Sequence, residues 1–284
     1  MLIATAGVLP GPAGFAEPAP ELNLVTSPWP PFSGPIGETR FAVELVEEAF
    51  SRAGYAPQTH LVGVGEVTAA LRSGQYAGSP AFWKDAIRES EFLFSDPYLQ
   101  NRLILVAREG TDVSATDWSD LRGKRVAIVR NYAYGEAVEA VDGPIFVPGS
   151  DHQANLTRLL AGGVDYILMD SLLVRHLQEY QSAEVRQFLE IGEQPLLTRT
   201  LHCVVRRDYP NAGALMAAFN QAIREMIRDG AFNEVLKLNW LRADVDGDGN
   251  LELVLSGTGA GIAAPDSGYD VSPFRPGAIP EERT

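Results

Sequence analysis

The chain has 284 residues, 45% of them hydrophobic and 21% charged, a globular composition that excludes a fibrous or disordered protein and suffices for two domains. Its formal net charge of −14 repels nucleic acid and anionic membranes, and no apolar run approaches the roughly 18 residues of a membrane-spanning helix, so we exclude nucleic-acid partners and membrane insertion. One cysteine, Cys203, excludes an internal disulfide, and the four histidines lack the spacing of metal ligands.

The N-terminal residues 1–16 carry no charge and end in a run of small residues. Gly14 and Ala16 fit the −3 and −1 positions of a signal-peptidase site before Glu17. A basic n-region is absent, so an apolar N-terminus without a targeting role is the alternative. The pattern predicts that 1–16 is a signal-peptide remnant and that the protein is exported.

Apolar strands alternate with amphipathic helices along the chain. In chain order, the predicted elements are a strand over Leu22–Val25, a helix with an apolar face from Ala42 to Ala53, a helix over Val67–Arg72, strands over Leu103–Val106 and Arg125–Val129, a helix capped by Asp151, a strand over Tyr166–Met169, a helix capped by Ser171 and ending at Tyr180, a strand over Leu201–Val205 and a helix after Pro210. The alternation predicts an α/β fold with parallel sheets. Ligands of such sheets lie beyond the carboxyl ends of the strands, which selects Trp29–Phe32, Asn131–Gly135 and Asp170.

Four motifs occur in a fixed order. They are Arg88 followed by FSDPY at Phe94–Tyr98, then DLRGKRV at Asp120–Val126, then LLAGGVDYILMD at Leu159–Asp170, and a closing helix pair over Phe219–Phe232. This order resembles the family 3 extracellular solute-binding proteins, the polar amino-acid receptors of ABC importers. The resemblance covers roughly residues 20–243.

The resemblance implies an α/β fold of the two-lobed periplasmic binding protein type II, a clamshell in which each lobe is a mostly parallel sheet flanked by helices. Lobe 1 would comprise 20–107 plus 200–243, and lobe 2 would comprise 111–195. The ligand would lie in the cleft, and the lobes would hinge shut over it.

Two charged residues match the family's ligand anchors. The resemblance implies that Arg88 grips a ligand carboxylate, which suits the planar, bidentate fork of a guanidinium. The alternative is a surface arginine paired with Glu89 or Glu91. Asp170 follows a buried apolar strand, and its family counterpart binds the α-amine of the ligand. The alternative for Asp170 is a helix N-cap, a position that Asp favours.

Four aromatic residues are predicted in loops that follow strands. They could wall a cleft and stack on a flat or aliphatic ligand, whereas core packing is the alternative for each. The four are Trp29, Phe32, Trp83 and Tyr132.

The chain departs from the amino-acid receptors at three positions. Trp83 and Ala133 stand where the family carries hydroxyl side chains, and Ala81 stands where it commonly carries a small polar residue. A site that loses hydroxyls and gains a tryptophan is less polar. A ligand other than a standard free amino acid is therefore an alternative to an amino acid.

The segment 244–284 is an acidic calcium-loop-like segment followed by an extended tail, with eight acids and two bases. Its start reads DVDGDGNLE, in which alternating carboxylates can converge on one cation and Gly249 permits the turn. The flanking residues from Leu251 to Leu255 predict a strand, and a solvated acidic turn is the alternative. The candidate Ca²⁺ ligands are Asp244, Asp246, Asp248, Asn250 and Glu252.

The predicted function is the binding of a small polar solute, an amino acid or a related carboxylate or amine, for delivery to an ABC importer. The resemblance implies a periplasmic location and an ABC permease as partner, and we expect a monomer. No catalysis and no cofactor in the ligand site are expected. The alternatives are an enzyme resembling cyclohexadienyl dehydratase and a ligand sensor on the same scaffold.

Overall fold

Strands and helices alternate in the computed structural model, which describes residues 18–135, 138, 140–180, 187–236, 240–243 and 252–255. The strands are β1 (Glu21–Thr26), β2 (Ala56–Leu61), β3 (Gly78–Trp83), β4 (Phe92–Phe94), β5 (Leu99–Arg108), β6 (Arg125–Val129), β7 (Ile145–Gly149), β8 (Tyr166–Asp170), β9 (Leu189–Arg206), β10 (Trp240–Ala243) and β11 (Glu252–Leu255). The α-helices are α1 (Phe41–Arg52), α2 (Val67–Arg72), α3 (Ala86–Glu91), α4 (His152–Leu160), α5 (Ser171–Tyr180), α6 (Ala212–Asp229) and α7 (Ala231–Val235), and a 3₁₀ helix covers Trp118–Leu121.

Two groups of parallel strands are joined by two long strands. The sheet order is β2-β1-β3-β9-β5-β8-β6-β7, with β4 also paired to β9. At one end β1 pairs in parallel with β2 and β3, and at the other end β6 pairs in parallel with β7 and β8. Between them β5 and β9 run antiparallel, from the pair Leu99↔Leu201 to the pair Arg108↔Leu189. The α/β prediction is confirmed, and the lobe limits given above stay a prediction.

Helix α1 covers one face of the first strand group, and α6 packs against α1, β4 and β9. The apolar face that the sequence predicts for α1 is buried, and Phe50 contacts Phe219 of α6 with ring centroids 5.1 Å apart. Burial of a large apolar side chain contributes about 1.5–3 kcal/mol. This packing holds the strand group rigid and leaves its carboxyl ends free to form a site.

Trp83 corrects one prediction, because it is the last residue of β3 and does not lie in a loop. The sequence did not predict this strand because it contains Gly78 and Pro80, and both residue types are uncommon in strands. A Cβ atom at Gly78 would lie 2.0 Å from the carbonyl oxygen of Val204. Glycine therefore permits the close pairing of β3 with β9 that places Trp83.

Helix α5 corrects a second prediction, because Asp170 rather than Ser171 caps it. Oδ1 of Asp170 accepts hydrogen bonds from the backbone N–H groups of Leu172 at 2.8 Å and Leu173 at 3.2 Å. These are two of the orphan donors at a helix start. Asp170 therefore has the geometry of a helix N-cap, which is the alternative interpretation given for it in the sequence analysis.

The predicted signal segment 1–16 and the calcium-loop residues Asp244, Asp246, Asp248 and Asn250 lie outside the described residues. The predicted strand after the loop is confirmed, since β11 pairs antiparallel with β10 and Ala243 lies opposite Glu252. The acidic stretch 244–251 thus joins two strands of a hairpin. None of the described helices is long and apolar enough to cross a membrane.

Candidate functional site

A cavity of about 250 Å³ lies where the two strand groups meet. Thr26 and Trp83 reach it from the carboxyl ends of β1 and β3, and the segment 131–133 reaches it from the carboxyl end of β6. The start of α2 closes another side through Val67 and Thr68. Of the three places selected by the strand-end rule, Trp29–Phe32 and Asn131–Gly135 contribute residues to the cavity lining, and Asp170 does not.

Arg88 lines this cavity and contacts both strand groups. It lies on the short helix α3, whose N-cap Asp85 accepts a hydrogen bond from its backbone N–H at 2.7 Å. The guanidinium donates to the carbonyl oxygen of Trp83 at 3.1 Å and to that of Asn131 at 3.2 Å. Its remaining N–H groups are available to an anion, although Nε lies 3.4 Å from a carboxylate oxygen of Asp85.

The surface-pair alternative for Arg88 is wrong. Glu89 pairs with Lys84 at 2.5 Å, and Glu91 pairs with Arg72 at 2.6 Å. The side chain of Arg88 is only 19% exposed. It is therefore held in the cleft rather than on the outer face of α3.

The electrostatic surroundings of Arg88 favour an anionic ligand. Burial lowers the pKa of Arg88 below its usual range, nearby Asp85 raises it and nearby Arg199 lowers it further. A guanidinium stays protonated in proteins despite such shifts. Arg88 is thus a partly desolvated cation with a second cation near it, and a carboxylate in the cavity would stabilise both.

Three aromatic rings from both strand groups pack against one another beside Arg88. Trp29 and Trp83 contact each other edge to face with centroids 5.5 Å apart, and Tyr132 lies 5.7 Å from the first and 5.4 Å from the second. All three line the cavity. Phe32 is fully buried behind Trp29 at 4.5 Å and does not line it. Phe32 therefore supports the wall, as the core-packing alternative predicts.

Asp170 lies apart from the cavity. It is 1% exposed, and its Oδ2 accepts a hydrogen bond from Nδ2 of Asn101 at 3.0 Å. Oδ1 of Asn101 in turn accepts from Nε1 of Trp83 at 2.7 Å. Burial raises the pKa of Asp170 to about 6, while the hydrogen bond from Asn101 acts to lower it. A ligand-binding role for Asp170 stays a prediction.

Sequence reasoning missed Asn101, which connects Trp83 to Asp170. No local signal marked it, because Gln100 and Arg102 flank it in β5, and only the structure shows that it is fully buried. Buried polar groups need partners, so its burial indicates a polar network. Tyr134 was also missed as part of the aromatic wall, with its ring 5.4 Å from that of Trp83.

Among the described residues no group of three or more His, Cys, Asp or Glu side chains could hold a metal ion. Cys203 is buried and its thiol pKa is raised by burial, so it is an inert core residue. The site described so far consists of a cation, aromatic rings and neutral hydroxyl and amide groups, which together can hold a small anion without chemistry on it.

The sequence profile of the bacterial extracellular solute-binding proteins, family 3, matches residues 24–242, which is more than half of the chain. The chain belongs to this family. Its resemblance to the family at the level of motifs is thereby confirmed. Family 3 proteins are solute-binding proteins that act outside the cytoplasm, so the ligand of this chain is a small solute.

Two relatives differ in how much of their length is matched. A segment of 70 residues is 40% identical to the virulence sensor protein BvgS of Bordetella pertussis, but this covers 25% of the chain and only 6% of that protein. The probable ABC transporter extracellular-binding protein YckB of Bacillus subtilis is 26% identical over 220 residues, covering 73% of the chain and 71% of YckB.

Solved structures share the fold. A mutant of ArgBP from T. maritima superimposes with a TM-score of 0.63 and 21% identity, covering 76% of this chain and 93% of that chain. The arginine-, lysine-, histidine-binding protein ArtJ of Geobacillus stearothermophilus gives a TM-score of 0.63 and 20% identity, with coverages of 77% and 94%. The two-lobed type II fold of family 3 is thus confirmed.

Proposed function

We propose that this family 3 protein captures a small solute in its interlobe cleft, outside the cytoplasm, and delivers it to the permease of an ABC importer. The observation that carries the proposal is the cavity of about 250 Å³ lined by residues of both strand groups, with Arg88 in its wall. A cavity between two lobes lets a ligand hold them together, which is how a binding protein signals its loaded state.

The lining of the cavity suits binding. Apolar and aromatic side chains supply most of a small-molecule site, and a few polar groups fix the orientation of the ligand. Here Trp29, Trp83 and Tyr132 supply the aromatic surface and Arg88 supplies the charge. We expect a monomer with one ligand, since each lobe contributes to a single cleft.

The enzyme alternative lacks support from the cavity wall. Of the described residues that line it, the titratable ones are Arg88 and Tyr132. Burial raises the pKa of the Tyr132 hydroxyl, so it stays protonated, and Arg88 stays charged. Neither can act as a general base at neutral pH. The ring of His152 lies 5.8 Å from that of Tyr132, outside the cavity lining.

The sensor alternative is also less favoured. The match to BvgS spans 70 residues, whereas the match to the transporter protein YckB spans 220. The chain spans 6% of the length of the sensor. The greater coverage supports a transport role.

Native mass spectrometry of the purified chain tests the proposal, followed by calorimetry with any retained solute and with a panel of acids, amines and amino acids. We expect one ligand per chain and a loss of binding in Arg88→Gln. The variant Arg122→Gln is the matched control, because Arg122 is 66% exposed and pairs with Asp142 on the surface. A chain that binds no small solute would contradict the proposed function.

A further inference from the structure

The positive charge in the cavity lining is not balanced by a negative charge among the described lining residues. Of the described residues that line the cavity, Arg88 is the charged one. The wall thus offers a positive charge to a ligand. An ammonium group in the same cavity would be repelled by Arg88 and would need a carboxylate partner.

The first carboxylate that could serve an ammonium group is Asp170, and its lone pairs are directed elsewhere. One oxygen accepts from two backbone N–H groups at the start of α5, and the other accepts from Asn101. Trp83 lines the cavity and donates to the far side of Asn101. The side chains of Asn101 and Trp83 therefore connect Asp170 to the cavity wall without exposing it.

Two further carboxylates lie near the cavity wall, and both are engaged. Asp151, whose charge acts on Tyr132, accepts from the backbone N–H of Ala154 at 2.8 Å and from the hydroxyl of Ser150 at 2.9 Å. Asp85 is engaged through Arg88. One oxygen caps α3 through the backbone N–H of Arg88, and the other lies 3.4 Å from Nε of the same arginine. Asp85 does not line the cavity. Its charge is thus used to hold Arg88 in place.

Neutral hydroxyl groups cannot replace a carboxylate as the partner of a buried ammonium group. The hydroxyls of Thr26, Ser27 and Thr68 line the cavity and can accept hydrogen bonds, but a buried ammonium group without an opposite charge is costly. The aromatic rings do not form an open cage either. Trp29 and Trp83 meet at an interplanar angle of 86° with centroids 5.5 Å apart, so their contact fills the space that a cation would need.

We infer that the cleft selects a carboxylate-bearing solute that has an apolar body and lacks an ammonium group, and that Trp83 with Asn101 sets this selectivity by closing off Asp170. The inference rests on the proposed function and names the ligand class for the same site. The ligand carboxylate binds Arg88, and its apolar part lies against Trp29, Trp83 and Val67. A cavity of about 250 Å³ limits the solute to a body smaller than a drug-sized ligand.

Two matched probe sets test the ligand class on the full chain by calorimetry. One set is 3-phenylpropanoate, L-phenylalanine and 2-phenylethylamine, and the other is 4-methylpentanoate, L-leucine and 3-methylbutylamine. Within a set the apolar body is alike and the charged groups differ. We expect the acid to bind at least tenfold tighter than the amino acid, and the amine to bind weakest.

A variant of Trp83 and a control at a second tryptophan test the role of Trp83. Trp83→Ser removes the indole and opens a path toward Asn101, so we expect the preference for acid over amino acid to fall at least tenfold. Trp118→Ser is the control, because Trp118 packs on Phe146 away from the cavity lining, and this variant should retain the preference. Circular dichroism and melting temperature establish that each variant folds. The probe ratios of the unmodified chain test the ligand class even where Trp83→Ser does not fold.

The outcomes separate this inference from the proposed function. An amino acid that binds as tightly as its matched acid, or a ligand with an amine retained on the purified protein, would overturn the inference and leave solute binding intact. An unchanged preference in folded Trp83→Ser would overturn the role of Trp83. Failure of both probe sets, together with the absence of any retained solute, would contradict both proposals.

Discussion

Arg88 donates a hydrogen bond from Nη2 to the backbone carbonyl of Asn131 at 3.2 Å, and this bond connects the two strand groups. Asn131 follows β6 and has a positive φ of 65°, a conformation that Asn tolerates better than most residues. The residue proposed to hold the ligand anion thus also contacts the opposite side of the cleft. Under the proposed function, binding of the anion and closure of the cleft are therefore coupled through one side chain.

The two roles of Arg88 predict that Arg88→Lys strongly weakens ligand binding. An ammonium group lacks the planar fork of a guanidinium and cannot hold a carboxylate and the Asn131 carbonyl in the same geometry. Loss of a partner to a buried charge costs about 2–5 kcal/mol, so the affinity for the bound solute should fall at least about thirtyfold. Calorimetry measures this, with Arg122→Lys as the control at an exposed arginine. Wild-type affinity in Arg88→Lys would refute the anchor.

The aromatic contacts across the cleft predict a fluorescence signal. Trp29 and Trp83 contact Tyr132 from the opposite strand group, so ligand binding should change tryptophan emission and reduce the radius of gyration in small-angle scattering. Trp118 packs on Phe146 away from the cavity lining. The change in emission should vanish in Trp29→Phe with Trp83→Phe and persist in Trp118→Phe. An unchanged radius with saturating ligand would exclude hinge closure.

The cap of α5 predicts a loss of stability in Asp170→Ala. The substitution removes the acceptor of two helix N–H groups and leaves the amide of Asn101 without its partner. Loss of a cap costs about 1 kcal/mol and a stranded buried donor about 1–3 kcal/mol more. Asp151→Ala is the control, because it removes the cap of α4 and a hydrogen bond from the exposed Ser150 hydroxyl but leaves no buried side-chain donor without its partner. Equal urea-unfolding free energies for the two variants would show that Asn101 contributes nothing.

Buried His202 predicts a loss of stability in acid. Its Nδ1 donates to the carbonyl of Ser95 and its Nε2 accepts from the hydroxyl of Thr200, both at 2.8 Å, which describes the neutral ring. Burial lowers its pKa to about 4 from an ordinary 6.5. Between about pH 4 and 6.5 the histidine is protonated in the unfolded chain but not in the folded chain, so the free energy of unfolding rises with pH. The neutral histidine accounts for up to about 3 kcal/mol of this rise.

Asp170 changes the free energy of unfolding with pH in the opposite direction to His202, over an overlapping pH range. Its pKa is raised to about 6, so the folded state favours its protonated form and its contribution falls as the pH rises from about 4 to 6. The unfolding free energy should therefore rise more steeply with pH in Asp170→Asn and less steeply in His202→Gln. Urea titrations from pH 4 to 7 measure both slopes. Parallel curves for His202→Gln and the unmodified chain would rule out the buried neutral histidine.

The hairpin at the C-terminal side leads to a prediction about calcium. Ala243 of β10 lies opposite Glu252 of β11, and the acidic stretch 244–251 is the sequence between them. Extracellular loops of this type bind Ca²⁺ at roughly 10⁻⁴ to 10⁻³ M. Millimolar Ca²⁺ should raise the melting temperature, and Asp246→Ala with Asp248→Ala should abolish the rise. Asp266→Ala with Asp270→Ala should not. Absence of Ca²⁺ binding in calorimetry would identify the stretch as a solvated acidic turn.

The sequence by itself determined the order of elements that carry the site. Alternating strands and helices predicted the α/β class, and the strand-end rule selected Trp29 and Tyr132, which both line the cavity. The motif around Arg88 placed this residue in the cavity wall. Local patterns suffice here because periodicity, caps and turn residues act over a few positions.

Only the tertiary structure decided what surrounds Asp170 and Trp83. The carboxylate at the end of β8 meets an amide 69 residues away in β5, and that amide meets an indole at the end of β3. Such contacts depend on which strands pair and in which register, and a local pattern does not encode long-range pairing. Asp170, which resembles an amine anchor in the sequence, is therefore placed by the pairing of β3, β5, β8 and β9 in a buried network beside the cavity that Arg88 lines.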